Sequence, residues 1–103
     1  MSAYTLYIHP RALQEIKNLP GHVRQRAIRA VDALAEQSRP SGSVELSAVA
    51  TPKSKMTLHR LRIDKWRVIY SVDEEDKVVD VLAIRQRPPY DYGDLAQLLE
   101  GLL

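Results

Sequence analysis

Four stretches of the chain have the alternation of apolar and polar positions that is typical of β-strands. They predict a first strand at residues 3–9 and three later strands at 57–63, 66–72 and 77–86. Only Asp64 and Lys65 separate the second of these strands from the third, so the two strands should form a hairpin with a two-residue turn. The acidic residues 73–76 are predicted to form the next turn. The last three strands therefore predict an antiparallel meander.

Apolar residues at helical spacing occupy the region between the first strand and the meander. They predict a helix over 11–19, which Pro10 can start well because its missing N–H costs nothing in a first turn. A proline–glycine pair ends this helix, and a second apolar stripe predicts another helix over 22–37. Leucines at helical spacing predict a short helix near the C-terminus. Residues 38–56 are irregular, with one short extended piece at Val44–Leu46.

The order of these elements predicts an α+β fold. We expect a small twisted antiparallel sheet with the N-terminal helical hairpin packed on one face, and a short C-terminal helix. A chain of 103 residues accommodates one such domain, spanning residues 1–103. The helices need an apolar floor, and one face of the predicted hairpin offers Leu61, Ile63, Trp66, Val68 and Tyr70.

The other face of the predicted hairpin is basic. With a turn at residues 64–65, Arg62 lies directly across from Arg67, and Arg60 lies on the same face. Like charges opposed across two strands destabilise the pair. A face built in this way, left uncovered by the helices, predicts an anionic ligand, and phosphate is the usual one.

Composition narrows the possible functions. The chain has no cysteine, so a disulfide, a cysteine nucleophile and a cysteine zinc site are excluded. No apolar run has the length of a signal core or a membrane span, so we expect a cytoplasmic protein that does not contact membranes. The net charge is only +2. Positive charge is nevertheless concentrated between residues 53 and 70, a segment that contains six lysines or arginines and a single acidic residue.

The hairpin also resembles a known family. The runs RLRI at 60–63 and WRVIY at 66–70 are similar to the central hairpin of the RelE/ParE toxin superfamily, and VVDVLAIRQR at 78–87 is similar to its last strand. The order of elements agrees along essentially the whole chain. The resemblance implies the toxin of a type II toxin–antitoxin system. RelE-like members cut messenger RNA in the ribosomal A site, whereas ParE-like members inhibit DNA gyrase.

The resemblance also implies roles for individual residues. Arg67 matches an arginine that stabilises the scissile phosphate, and Arg87 matches one assigned to phosphate stabilisation or leaving-group support. Arg60 stands where the best-studied branch has a lysine. Tyr90 or Tyr92 resembles a C-terminal tyrosine that stacks on a base or aids proton transfer. We take Arg67, Arg87, Arg60 and Tyr90 as the catalytic candidates. The RNA-binding candidates are Arg62, Lys53, Lys55, Arg85 and Tyr92.

The favoured interpretation is a ribosome-dependent endoribonuclease in which the ribose 2′-OH attacks the phosphate, with no metal and no cofactor. No convincing general base is identifiable, because strand parity points His59 away from Arg60 and Arg62. Two alternatives stay open: a gyrase inhibitor without chemistry of its own, and a degenerate toxin that only binds its antitoxin. The expected partners are a cognate antitoxin, the ribosome with messenger RNA or else gyrase, and operator DNA only through the antitoxin.

Overall fold

The structure, a computed structural model, describes residues 3–46 and 56–86. Within these ranges the chain forms five strands and two helices. In chain order they are β1 Thr5–Ile8, α1 Pro10–Lys17, α2 Gly21–Ala33, β2 Ser43–Glu45, β3 Met56–Ile63, β4 Trp66–Asp73 and β5 Val78–Gln86. The predicted C-terminal helix lies outside the described residues.

The five strands form one sheet in the order β1-β5-β4-β3-β2. Strands β2 to β5 pair antiparallel with their neighbours, as the meander predicted. Strand β1 instead pairs parallel with β5, so the sheet is mixed and not antiparallel throughout. Periodicity predicts that a strand exists but not which edge of the sheet it joins, and here the meander brings β5 beside β1. The α+β fold class is confirmed.

The β3–β4 hairpin has the register that the sequence predicted. Arg62 pairs with Arg67, and Ile63 pairs with Trp66, on either side of the two-residue turn. Asp64 in this turn has φ of 58°, in the left-handed region that aspartate enters more easily than most residues. Strand pairing continues without irregularity back to Met56 and Asp73.

The hydrophobic core lies between the two helices and one face of the sheet. Leu61, Ile63, Val68 and Tyr70 are buried there as predicted, and half-buried Trp66 packs against them. The helices contribute the buried residues Ala12, Ile16, Val23, Ala27 and Val31, and the turns that follow them contribute Leu19 and Leu34.

Two details of the helices differ from the sequence prediction. Leu13, one of the apolar residues at helical spacing in the predicted first helix, is 43% exposed, and the buried stripe of α1 runs through Ala12 and Ile16. Helix α2 ends at Ala33 and not near residue 37, because the next three amide groups bond to carbonyls only three residues back and tighten the chain into turns. Neither helix of the described ranges has the length and apolar character needed to cross a membrane.

The face of the sheet opposite the helices is not simply basic. Leu58, Ile69 and Ala83 lie on this face by register, and all three are buried. Arg60 pairs with Ile69, so apolar and basic positions are interleaved. The prediction that arginines fill this face and leave it uncovered is therefore wrong for the centre of the sheet, around Ile69. It holds only near the hairpin turn.

A small polar cluster is buried beneath α2 and its following loop. The Tyr70 hydroxyl donates to the Ser38 carbonyl at 2.7 Å. The ring of His59 stacks on that of Tyr70, with centroids 5.2 Å apart, and its Nε2 lies 2.7 Å from the Thr57 hydroxyl. Desolvation by burial, helped by the positive charge of Arg39, lowers the pKa of His59. The fold thus holds His59 in its neutral form.

We predict that the protein loses stability as the pH falls below about 6.5, because unfolded His59 then binds a proton more readily than folded His59 does. The loss should grow until the lowered pKa of the folded state is reached. Urea unfolding over the range from about pH 7.5 to about pH 5 measures it.

The matched variants are His59→Gln and His22→Gln, since His22 is exposed. The first should flatten the pH dependence in this range, and the second should leave it unchanged. An equally steep loss of stability in His59→Gln would show that another group controls it.

Candidate functional site

Three arginines lie side by side across three neighbouring strands. Arg62 of β3 pairs with Arg67 of β4, and Arg67 pairs with Arg85 of β5. We call these three residues the arginine row. Adjacent strands are about 4.8 Å apart, so three guanidinium groups start from backbone positions that span about 10 Å. Like charges held this close repel one another, and an anion placed among them relieves the repulsion.

A β-bulge places Arg85 in this row. Ala83 pairs with Ile69 but Val81 pairs with Tyr70, so Leu82 is an extra residue in β5. The extra residue shifts the alternation by one position. Without it, Arg85 would face the same side as Val81, which is the core. The bulge therefore lets β5 bury Val81 and Ile84 on one face and still present Arg85 on the other.

Arg67 at the centre of the row is held by the hairpin. Its Nη1 donates to the carbonyls of Asp64 and Trp66, both at 2.9 Å. Its Nε is buried and has no hydrogen-bond acceptor in the described part of the chain. A buried donor without a partner costs about 1–3 kcal/mol. Arg67 is thus fixed in place while one of its N–H groups is still unused.

Arg85 forms an ion pair with Glu15 of α1. The same carboxylate accepts a hydrogen bond from the backbone N–H of Ile84 at 3.0 Å. Strand β1 pairs only with residues 78–81 of β5, so this N–H lies on an edge that β1 does not reach. Glu15 therefore occupies the bare edge of β5 and neutralises part of the charge of the row.

The sequence pattern does not single out Glu15 as a site residue. Its helical spacing points to Arg11, one turn earlier, as its ionic partner. The observed partner lies 70 residues away in the sequence, and only the three-dimensional fold brings the two together.

The side chains of the two remaining arginines of the hairpin have no partners among residues 3–46 and 56–86. Arg62 is exposed, and Arg60 is half-buried, two pairs further from the turn on the same face. Neither side chain makes a hydrogen bond or an ion pair within those ranges, although the backbone N–H of Arg62 donates to the Gly42 carbonyl at 3.3 Å. Of the candidates from the sequence, the structure brings together Arg62, Arg67 and Arg85, with Arg60 beside them. Five further candidates lie outside the described residues, namely Lys53, Lys55, Arg87, Tyr90 and Tyr92.

Apart from the carboxylate of Glu15, which is ion-paired to Arg85, no side chain suited to proton transfer is described in this cluster within residues 3–46 and 56–86. His59 faces the core, as parity predicted, and is stacked on Tyr70. No group of three histidines, aspartates or glutamates in residues 3–46 and 56–86 is placed to hold a metal ion. The arrangement can bind and orient a phosphate, because arginines supply fixed positive charge and forked donors.

We predict that Glu15→Gln lowers the free energy of unfolding by about 1–3 kcal/mol, because the glutamine loses the ion pair to a half-buried arginine but retains an acceptor for the Ile84 N–H. Urea denaturation measures the loss. Asp32→Asn is the matched control, since Asp32 is exposed on α2 and should contribute little. Equal stability of the two variants would show that the contacts of Glu15 with β5 do not stabilise the fold.

Comparison with known proteins gives one family and several structures. The sequence profile of the family described as ParE toxin of type II toxin-antitoxin system, parDE, matches residues 6–88. The chain is similar to a chain of the archaeal RelE–RelB complex from Pyrococcus horikoshii, at 27% identity and a TM-score of 0.73, covering 85% of this chain and 99% of that one. A search of curated proteins gives no match.

Two structures from E. coli are also similar. A chain of the intact RelBE toxin–antitoxin complex is 26% identical, with a TM-score of 0.55, and the alignment covers 82% of this chain and 96% of that one. The isolated RelE toxin is 24% identical, with a TM-score of 0.60, over 98% of this chain and all of the other. At that identity the second likeness is evidence for the fold alone.

Proposed function

Because the chain belongs to the ParE toxin family of the RelE/ParE superfamily, we propose that it cuts messenger RNA on the ribosome as the toxin of a type II toxin–antitoxin pair. The observation that carries this proposal is the arginine row. Three neighbouring strands each direct an arginine to one end of the sheet, and only one of the three has its charge compensated by a described acid.

In the proposed reaction the arginine row holds the scissile phosphate. The Arg62 side chain has no partner in the described part of the chain, and the Arg67 side chain donates there only through Nη1, so both guanidinium groups keep donors for phosphate oxygens. Their charge stabilises the phosphorane-like transition state, in which the ribose 2′-oxygen loses its proton and bonds to phosphorus while the bond to the 5′-oxygen breaks and that oxygen takes up a proton. Arginine stays protonated at neutral pH and moves protons poorly. Orientation of the message by the ribosome, which can lower a barrier by several kcal/mol, therefore supplies much of the acceleration.

A protein antitoxin is the proposed partner that silences the toxin. The similar structures from Pyrococcus horikoshii and E. coli contain RelE with RelB, and the second is described as a toxin–antitoxin complex. We propose that operator DNA is reached only through this antitoxin, and that the toxin acts in the cytoplasm.

A second candidate function is inhibition of DNA gyrase. It is favoured by one observation, the match of residues 6–88 to the ParE profile. In that case the arginine face would bind a protein and no bond would be cleaved. The similarity to RelE structures and the register of the arginine row favour the nuclease.

The proposal predicts ribosome-dependent cuts in a defined message translated in vitro, mapped as new 5′ ends with and without ribosomes. Arg62→Ala and Arg67→Ala should each slow cleavage on the order of 100-fold, because each removes a donor to the developing charge. Arg29→Ala is the matched control, since Arg29 is an exposed arginine of α2 and is not part of the row.

Thermal unfolding of each variant separates lost chemistry from lost fold, which matters for Arg67 because it also supports the hairpin turn. An intact message with wild-type protein would overturn the nuclease proposal. A gyrase supercoiling assay run in parallel then distinguishes an inhibitor of gyrase from a toxin that only binds its antitoxin.

A further inference from the structure

The outer edge of β1 is unpaired in the described part of the chain. β1 is the last strand on its side of the sheet, and the N–H groups of Thr5 and His9 both donate to carbonyls on the β5 side, at 2.8 Å. Backbone groups of successive residues in a strand point to opposite sides, so the N–H and C=O groups of Leu6 and Ile8 point outward. Within residues 3–46 and 56–86 none of these four groups has a hydrogen-bond partner. Such an edge is a template for another strand.

Side chains along this edge are exposed as well. The turns after α2 cover only its beginning, where the N–H of Tyr4 donates to the Ala35 carbonyl at 2.9 Å. Beyond that point Tyr7, which alternates with the core residues of β1 and so lies on the face opposite the helices, is 56% exposed. Its ring carries apolar area that a partner strand can bury.

An apolar groove of about 270 Å³ lies beside the same edge, between α1 and α2. Ile8 lines it, and so do Leu13 of α1 and Ile28 of α2, both of which are exposed. Because Ile8 belongs to both, the groove and the strand edge form one continuous surface. Exposed apolar surface next to an unpaired strand edge is typical of a protein–protein contact.

The charged residues of the groove are separated by sign. Asp32 lies near the start of β1, since the chain reaches Ala35 and its hydrogen bond with Tyr4 three residues later. Arg24 lies two turns earlier on α2, about 12 Å away along the helix axis. Its side chain donates to the Lys17 carbonyl at 3.5 Å, so the two basic residues lie together. A copy of this surface rotated by 180° therefore sets its basic end against the acidic end of the original.

We propose that β1 pairs antiparallel with β1 of a second copy of the chain, about a two-fold axis midway between the two Tyr7 residues that leaves the helices of both copies on the same side. In this register Leu6 of each copy pairs with Ile8 of the other, and all four outward groups of each strand are satisfied. Tyr7 faces Tyr7 of the second copy as an aromatic cross-strand pair. The rotation also brings Arg24 toward Asp32 of the second copy.

A second copy fits this surface better than an unrelated strand, because the surface complements itself both in hydrogen bonding and in charge. The dimer leaves the arginine row free, since β1 pairs only with residues 78–81 of β5 and Arg85 lies beyond them. Dimerisation is therefore independent of the proposed reaction.

Disulfide cross-linking of the full-length protein tests the register, since the chain contains no cysteine of its own. The α-carbons of the two residues at position 7 should lie about 4.5 Å apart, within the range of a disulfide, so Tyr7→Cys should cross-link into a dimer under mild oxidation. Thr5→Cys should not, because its two copies lie about 13 Å apart along the strands. Val44→Cys is the matched control, since Val44 is an exposed apolar residue of β2, the opposite edge strand.

Sedimentation over a range of protein concentrations measures the dimer without a cross-link. A four-residue strand makes a small contact, so the dimer should be reversible and concentration-dependent. Tyr7→Glu sets two carboxylates opposite each other and removes the aromatic pair, which should weaken dimerisation about tenfold. Val44→Glu makes the same kind of change on the opposite edge and should leave dimerisation unchanged. Circular dichroism confirms that each variant is folded.

A wild-type protein that stays monomeric at the highest concentration, or equal cross-linking at positions 5, 7 and 44, would overturn the proposal. A dimer that Tyr7→Glu does not weaken would do the same, because the contact would then lie elsewhere. Hydrogen exchange at the Leu6 and Ile8 amides should slow as the protein concentration rises. Slowing only after an antitoxin is added would assign this edge to the antitoxin and contradict pairing with a second copy.

Discussion

The pairing register of the β3–β4 hairpin is the constraint on which both faces of this sheet depend. It is set at the turn formed by Asp64 and Lys65, where Asp64 adopts a positive φ. A slip of one residue would exchange the two faces of a strand. Leu61 and Ile63 would leave the core, and Arg62 would be buried in their place. The hydrophobic core thus enforces the close approach of Arg62 and Arg67, although their charges oppose it.

Strand β5 extends this arrangement through two local devices. The extra residue Leu82 shifts its alternation, so that Ile84 reaches the core while Arg85 joins the row. Glu15 then anchors the same segment to α1 through the Ile84 N–H and the Arg85 guanidinium. One carboxylate therefore accepts the hydrogen bond of an N–H on an unpaired strand edge and lowers the repulsion among three arginines. Packing of α1 and charge at the site are coupled through this single side chain.

Much of this architecture could be predicted from the sequence because it depends on local patterns. Period-two alternation and a two-residue turn predict which residues of the hairpin share a face, and the observed pairs Arg62–Arg67 and Ile63–Trp66 agree. Periodicity cannot reveal that β1 pairs parallel with β5, because strand order depends on contacts distant in sequence. For the same reason the Glu15–Arg85 pair was missed. The bulge at Leu82 has no marker such as glycine, and burial of Ile69 on the second face is invisible to parity alone.

The proposed contact between the arginine row and phosphate can be measured through the salt dependence of RNA binding. For single strands, the logarithm of affinity falls with the logarithm of salt concentration by about 0.7 for each phosphate neutralised. Binding of a short RNA by wild type, Arg62→Ala and Arg29→Ala should therefore be measured across a range of salt. We predict a slope shallower by about 0.7 for Arg62→Ala and an unchanged slope for Arg29→Ala. An Arg62→Ala slope equal to that of wild type would contradict a contact between the arginine row and phosphate, because Arg62 would then neutralise no phosphate.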